Sequence, residues 1–350
     1  MNRLMNRRAF IQGLGILSAG WTVKGWTAPL STAPFSSSLF QTSETRNLMG
    51  TFVTITILHA SREQAQAVLG AAFQHLDTLI RLFNRHDPGS ALSVLNERGY
   101  LPGPPPELVK LLDRSRVFHS RTRGLFDVTI KPVLDLYESE KEGSRLPSAS
   151  SIREALTRVG ASAMEISPQK IAFSKEGMGI TLDGIAKGTI VDETIAFIRK
   201  EGIRHALVDA GGDLKVMGGR AGGLPWRIEV YDPAVETKSQ EIILLREGAV
   251  ATSGNYMVFF DREKVHHHIL SPESGSSPPW STGTTVIAPS AETADALATS
   301  LMLFSPDEGL AFINRQERLA AMVLTREGKK AYSGRWPQNN PTKGGKTVHG

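Results

Sequence analysis

Strand-like and helix-like stretches follow one another in this chain without the regular βαβ rhythm of a doubly wound sheet, and that order limits the fold more than any other feature. β-Branched residues alternate through 48–58. Ser61 then offers an N-cap to a helix carried by Ala65, Leu69, Ala72, Leu76 and Leu79 as far as Phe83. A short element opens over 91–96, and the proline-rich stretch 102–106 introduces a helix over 107–121. Residues 137–151, polar and punctuated by Gly143 and Pro147, read as a surface excursion and a lobe boundary. A short helix (152–159), a β-region (164–182) and a helix (189–200) follow. Strands at 206–208, 214–217, 226–231, 240–245, 249–252 and 257–260 then come in succession. Helices over 291–304 and 307–314 and a strand at 320–324 close the pattern. Strands and helices mixed in this way favour an α+β protein over a doubly wound sheet.

At 350 residues the chain has room for one or two lobes sharing a cleft. With 40% hydrophobic and 21% charged residues it has the composition of a globular protein. Part of the net charge of +5 sits at the ends, on Arg3, Arg7, Arg8, Lys343 and Lys346. No basic stripe is interleaved with aromatics, so nucleic acid is not an expected partner. Cysteine is absent, which removes disulfides, thiolate metal sites and thiol nucleophiles together. A metal would have to be held by oxygen or nitrogen.

Residues 1–33 have the three parts of a signal peptide: Asn6-Arg7-Arg8-Ala9-Phe10, an apolar run through 13–20, and a stretch rich in Ser, Thr, Ala and Pro. The paired arginines point to the twin-arginine (Tat) machinery and hence to the periplasm, with no transmembrane span in the mature chain. If the signal is retained, it anchors the protein to the membrane. A folded domain is expected over 45–325 and a mobile tail over 330–350.

Four segments carry chemistry-bearing residues. Asp183-Gly184-Ile185-Ala186-Lys187-Gly188 lies between a strand and a helix, where its amides can face an anion; glycine needed only for turn geometry is the other reading. Asp209-Ala210-Gly211-Gly212-Asp213 is either a close approach of main chain to a ligand or a tight turn. Asp295 and Thr299, four residues apart, share a helix face and can share a hard cation, or they form an ordinary solvated face. Of His266-His267-His268, alternation lets only some point one way, so a ligand-contacting histidine fits better than a zinc site.

In this order, Met49-Gly50-Thr51, Phe126-Asp127-Val128-Thr129, Gly184 to Gly188, Gly211-Gly212-Asp213, His268 to Gly275 and Ala294 to Thr299 resemble the motifs of the ApbE family, the FAD:protein FMN transferases, over roughly residues 45–325. The resemblance implies a two-lobed fold of mixed or antiparallel sheets flanked by helices, with FAD in the cleft between lobes and Mg²⁺ on its pyrophosphate. The metal would be held by the Gly184 carbonyl, Asp295 and Thr299. Contacts to FAD would come from Met49, His86, Leu125, Phe126, Asp127, Thr181, Lys187, His268 and Ala298, with His268 as the catalytic base. The implied reaction links FMN to a Thr or Ser hydroxyl of an acceptor protein in a membrane or periplasmic redox system and releases AMP. The chain departs from the family pattern at Thr181, Asp183, Ser271 and His86. These departures resemble the NosX-like Tat-exported branch and leave a second expectation, a periplasmic FAD-binding accessory or maturation flavoprotein without transfer activity. A third is a Mg²⁺-dependent FAD pyrophosphatase, with water in place of the acceptor.

Overall fold

The computed structural model describes residues 39–142, 145–230, 241–256 and 258–337. The expected signal segment 1–33 and the end of the expected tail, 338–350, lie outside the described residues. In chain order the strands are β1 (Phe40–Leu48), β2 (Thr51–His59), β3 (Tyr100–Pro102), β4 (Met164–Ile166), β5 (Lys170–Phe173), β6 (His205–Ala210), β7 (Asp213–Met217), β8 (Trp226–Val230), β9 (Glu241–Leu245), β10 (Gly248–Gly254), β11 (Ser281–Ala288), β12 (Ala320–Thr325) and β13 (Lys330–Tyr332). The helices are α1 (Arg62–Phe83), α2 (Ala91–Arg98), α3 (Pro106–Arg121), α4 (Lys131–Glu142), α5 (Ala149–Leu156), α6 (Ala186–Lys200), α7 (Ala291–Leu301) and α8 (Pro306–Asn314).

The class is α+β, as expected. Eight strands form one sheet in the order β1-β2-β6-β7-β10-β11-β12-β13, and each neighbouring pair is antiparallel. Helix α1 starts where Ser61 accepts the Gln64 N–H, and it buries Ala65, Val68, Leu69, Ala72, Phe73, Leu76, Leu79 and Phe83 at three- and four-residue spacing. That stripe joins Val53, Ile55 and Ile57 of β2, Ile190 and Ile195 of α6, and Ala294 and Leu297 of α7 in one core. Leu92, Leu108, Leu111 and Ile171, from α2, α3 and the small sheet β3-β5-β4, extend the same core. A separate cluster joins Trp226, Ile228 and Ile243 of the β8–β9 hairpin to Leu214, Val216 and Val250 of the large sheet.

The structure revises several element boundaries. The stretch 48–58 is the second arm of a hairpin whose first arm is β1. The excursion expected over 137–151 begins inside α4: Tyr137 is buried and packs with Val133, Leu134 and Leu270 under a polar outer face. No strand forms over 258–260, where one isolated bridge joins Phe259 to His267, and Met257 lies outside the described residues. β11 appears where the sequence suggested nothing regular. Nor does the folded part stop at 325, because β13 pairs with β12 and Trp336 is buried in the β8–β9 cluster. Among the described residues no helix is long and apolar enough to cross a membrane.

Candidate active site

Turns and strand ends from distant parts of the chain converge at one end of the large sheet. Pairing of Val53 with Ala210, Ala210 with Asp213, Leu214 with Val250 and Gly254 with Gly283 places the β1–β2 tip, the β6–β7 tip, the end of β10 and the start of β11 at that same end. Both tips are two-residue loops. Met49 and Gly50 have φ of 53° and 70°, and Gly211 and Gly212 have 70° and 98°, the paired positive values that tight hairpins require. The tips touch each other: a Cβ on Gly211 would lie 2.9 Å from Thr51 Cγ2.

Helices α6 and α7 bring the charged groups to this end. They pack closely because Gly188 has no side chain; a Cβ there would sit 2.6 Å from the Ala291 carbonyl carbon and 2.8 Å from Glu292 Cα. The approach lets the Gly188 N–H, in the first turn of α6, donate to Asp295 Oδ2 at 3.0 Å. Asp192 of α6 accepts the Ala291 and Glu292 N–H groups at 3.0 and 2.9 Å and pairs with Lys215, which fixes the start of α7. Ile185 gives α6 no side-chain cap. Among the described residues the Lys187 N–H has no hydrogen-bond partner, so it is available to an anion.

Asp295 is the most strongly perturbed carboxyl group at this end of the sheet. The carboxyl is 3% exposed, and burial, reinforced by the neighbouring Asp213 charge, pushes its pKa up to about 8 against the opposing pull of Lys187 and the Gly188 N–H. Its other oxygen has no hydrogen-bond partner among the described residues. One turn on, Thr299 lies against the glycine-rich turn, with its Oγ1 3.1 Å from where a Gly184 Cβ would be and 3.2 Å from Ser253 Oγ. No three His, Asp or Glu side chains form a metal cage among the described residues. A hard divalent ion suits this set of carboxylate, hydroxyl and carbonyl oxygens, with the remaining ligands drawn from water or phosphate.

Lys187 pairs with Asp213, which is buried. Burial tends to discharge this ammonium, but Asp213 and Asp295 outweigh it and hold the pKa above its ordinary value. His268 is half-buried. Its Nδ1 lies 3.1 Å from the Val258 carbonyl, which can only accept, so Nδ1 carries the hydrogen and Nε2 presents the lone pair. Burial lowers its pKa, and the Lys187 and Arg85 charges act in the same direction.

Other expected contacts fall around this centre. Phe126 Cε2 is 3.4 Å from the Gly184 Cβ position, and Leu125 packs beside Ile269, Met302 and Leu303. Asp127 has its carboxylate engaged within the protein, accepting from the Thr129 N–H and hydroxyl and the Ala161 N–H, so segment 125–127 offers an apolar face. Thr181 accepts the Asp183 N–H, and the Ala298 carbonyl accepts the Thr284 hydroxyl at 2.6 Å. His86 follows α1 in a turn whose neighbour, Arg85, is bonded to Asp183. Sequence reasoning missed Asp213, Ser253 and Arg85 as members of the site. Asp213 ends a glycine pair already in view, whereas nothing local signals Arg85, whose partners lie 53 and 98 residues away.

Fold and site together define an antiparallel α+β protein with an anion-receptive helix start beside a buried carboxylate. A family model described as the ApbE family matches residues 49–323, and the chain belongs to that family. The FAD:protein FMN transferase of Klebsiella pneumoniae (strain 342) is 27% identical over 292 residues, covering 80% of this chain and 83% of that protein. The ApbE protein of Thermotoga maritima superposes with a TM-score of 0.77 at 27% identity, covering 84% of this chain and 97% of its own. The flavinyl transferase ApbE of Pseudomonas stutzeri, in its apo form, superposes with a TM-score of 0.75 at 27% identity over 85% and 95%.

Proposed function

We propose that this chain transfers the FMN part of FAD to a Thr or Ser hydroxyl of an acceptor protein, releases AMP, and depends on Mg²⁺. The observation that carries the reading is the buried Asp295 carboxyl, with one oxygen held by the Gly188 N–H and the other without a hydrogen-bond partner among the described residues, on the helix that sets Thr299 against Gly184 and beside the free Lys187 N–H. Gly184 through its carbonyl, Asp295 and Thr299 would hold the ion, which when bound offsets charge on the pyrophosphate. Lys187 and the start of α6 add positive potential on the same side.

In the transfer the acceptor oxygen attacks the phosphorus of the FMN half, and the P–O bond to the AMP phosphate breaks. His268 Nε2, neutral near pH 7 and bearing a lone pair, takes the hydroxyl proton, and AMP leaves with the bonding electron pair. The Nδ1–H bond to Val258 keeps the ring in the required tautomer. Phe126 and Leu125 furnish apolar surface for the flavin. Export by the Tat route suits a protein that folds around a nucleotide before reaching periplasmic acceptors.

The test incubates the mature protein with FAD, Mg²⁺ and the flavin domain of a membrane reductase carrying an acceptor threonine. The acceptor is then read by mass and by fluorescence in a denaturing gel. An added FMN mass with stoichiometric AMP is expected, lost in Asp295→Ala and His268→Ala. FAD uptake with no mass shift on several acceptors supports an accessory flavoprotein instead, and AMP with free FMN supports a pyrophosphatase.

A further inference from the structure

Arg85 joins three separate parts of the chain. It stands in the turn after α1 with its side chain 10% exposed. Its Nε donates to Asp183 Oδ2 at 3.0 Å, and its terminal nitrogens donate to the two Glu138 oxygens at 2.9 and 3.3 Å. One planar fork thus ties the glycine-rich turn to α4. Burial works against its charge, but Glu138 and Asp183 together hold the guanidinium above its ordinary pKa.

Asp183 is the reason such an arrangement matters. Its side chain is 51% exposed and precedes Gly184, at the mouth of the site rather than in the core. Its charge is felt by Lys187, Asp295 and His268. Around the centre stand the carboxyl groups of Glu138, Asp183, Asp213 and Asp295 and two cations, Arg85 and Lys187, of which Lys187 is already paired with Asp213. A bare carboxylate at position 183 would meet an incoming pyrophosphate with like charge next to the turn that must receive it.

We propose that Arg85 is a positioning residue that acts through Asp183, neutralising and turning aside this carboxylate so that a pyrophosphate dianion can dock on the glycine-rich turn. The inference rests on the FAD-binding reading above. Arg85 itself touches no substrate in this scheme; its effect depends on Asp183 being charged.

Equilibrium FAD binding in Mg²⁺, followed by quenching of flavin fluorescence, tests this in four proteins: wild type, Arg85→Gln, Asp183→Asn and the double variant. Arg85→Gln should weaken binding roughly tenfold or more. Asp183→Asn should stay within about threefold of wild type, and the double variant should recover most of the loss, because the charge at position 183 is gone and only that of Glu138 is left without Arg85. Riboflavin, which lacks phosphate, should bind Arg85→Gln and wild type alike. If Arg85→Gln does not fold by circular dichroism, Arg85→Lys serves, expected within about threefold of wild type; tenfold loss there in a folded protein overturns screening by charge. A double variant as weak as Arg85→Gln also overturns the inference, as does unchanged binding by Arg85→Gln. Wild-type protein that takes up no FAD overturns the parent reading instead.

Discussion

The adjacent histidines 267 and 268 hold opposite tautomers. Ile269 donates its N–H to His267 Nδ1, whereas His268 Nδ1 donates to Val258. His267 is 1% exposed, and burial, helped by the nearby His268, pushes its pKa down to about 4 from 6.5. The folded state therefore binds this proton less readily than the unfolded chain, so the stability contribution is complete above pH 6.5 and is lost as pH falls towards 4. The difference corresponds to about 3 kcal/mol. His267→Asn keeps an acceptor for Ile269 and cannot titrate there. Chemical denaturation at pH 7.5 and pH 4.5 should show the wild type losing more stability than the variant, and parallel losses would rule the linkage out. Spacing alone left open which of three adjacent histidines faces the site, because a single isolated bridge, not a regular strand, sets their directions; only the family resemblance singled out His268. Helical spacing put Asp295 and Thr299 on one face, and the resemblance alone read them as metal ligands; Arg85 was not legible, since a guanidinium's long-range partners leave no local pattern.

At the scale of elements, the sequence shows what repeats locally and hides what burial on two sides averages out. The stripe on α1 and the Ser61 cap stood out because one face is wet and the other dry. β11 was missed because it is central: Thr284, Thr285 and Val286 are consecutive and all buried, so the strand has no alternation to detect. α4 was hidden by its polar outer face, and β13 by the glycine- and lysine-rich residues that follow it. The α6–α7 contact, which places Asp295, depends on Gly188, and the spacing makes a signed prediction. Gly188→Ala puts a methyl against Ala291 and Glu292 and should cost roughly 1–3 kcal/mol. Gly70→Ala, mid-helix in α1 with nothing within 4 Å of the new methyl, should gain about 0.5–1 kcal/mol. Urea midpoints measure both. A neutral Gly188→Ala would mean that the helices can separate without penalty, and Asp295 would then not be fixed by their packing.

At the scale of the whole molecule, the site draws on residues from Met49 to Thr299, supplied by two hairpin tips, α6, α7 and the loop carrying His268. No single element owns it, and its parts share one core through α1, α6, α7 and the sheet. Ligand binding is therefore linked to global unfolding, because losing any one of these elements dismantles the site. A ligand at 100 times its Kd adds about 2.7 kcal/mol to stability, enough to raise Tm by several degrees. FAD alone should raise Tm, and FAD with Mg²⁺ should raise it further, since an ion at Asp295 favours the charged carboxylate that burial disfavours. In Asp295→Ala the increment due to Mg²⁺ should vanish while part of the FAD increment remains, because Lys187 and the start of α6 still face the phosphates. Differential scanning calorimetry of wild type and variant, with FAD and with or without Mg²⁺, separates the two increments. A Mg²⁺ increment that survives Asp295→Ala undiminished would place the ion elsewhere and detach the buried carboxylate from metal binding.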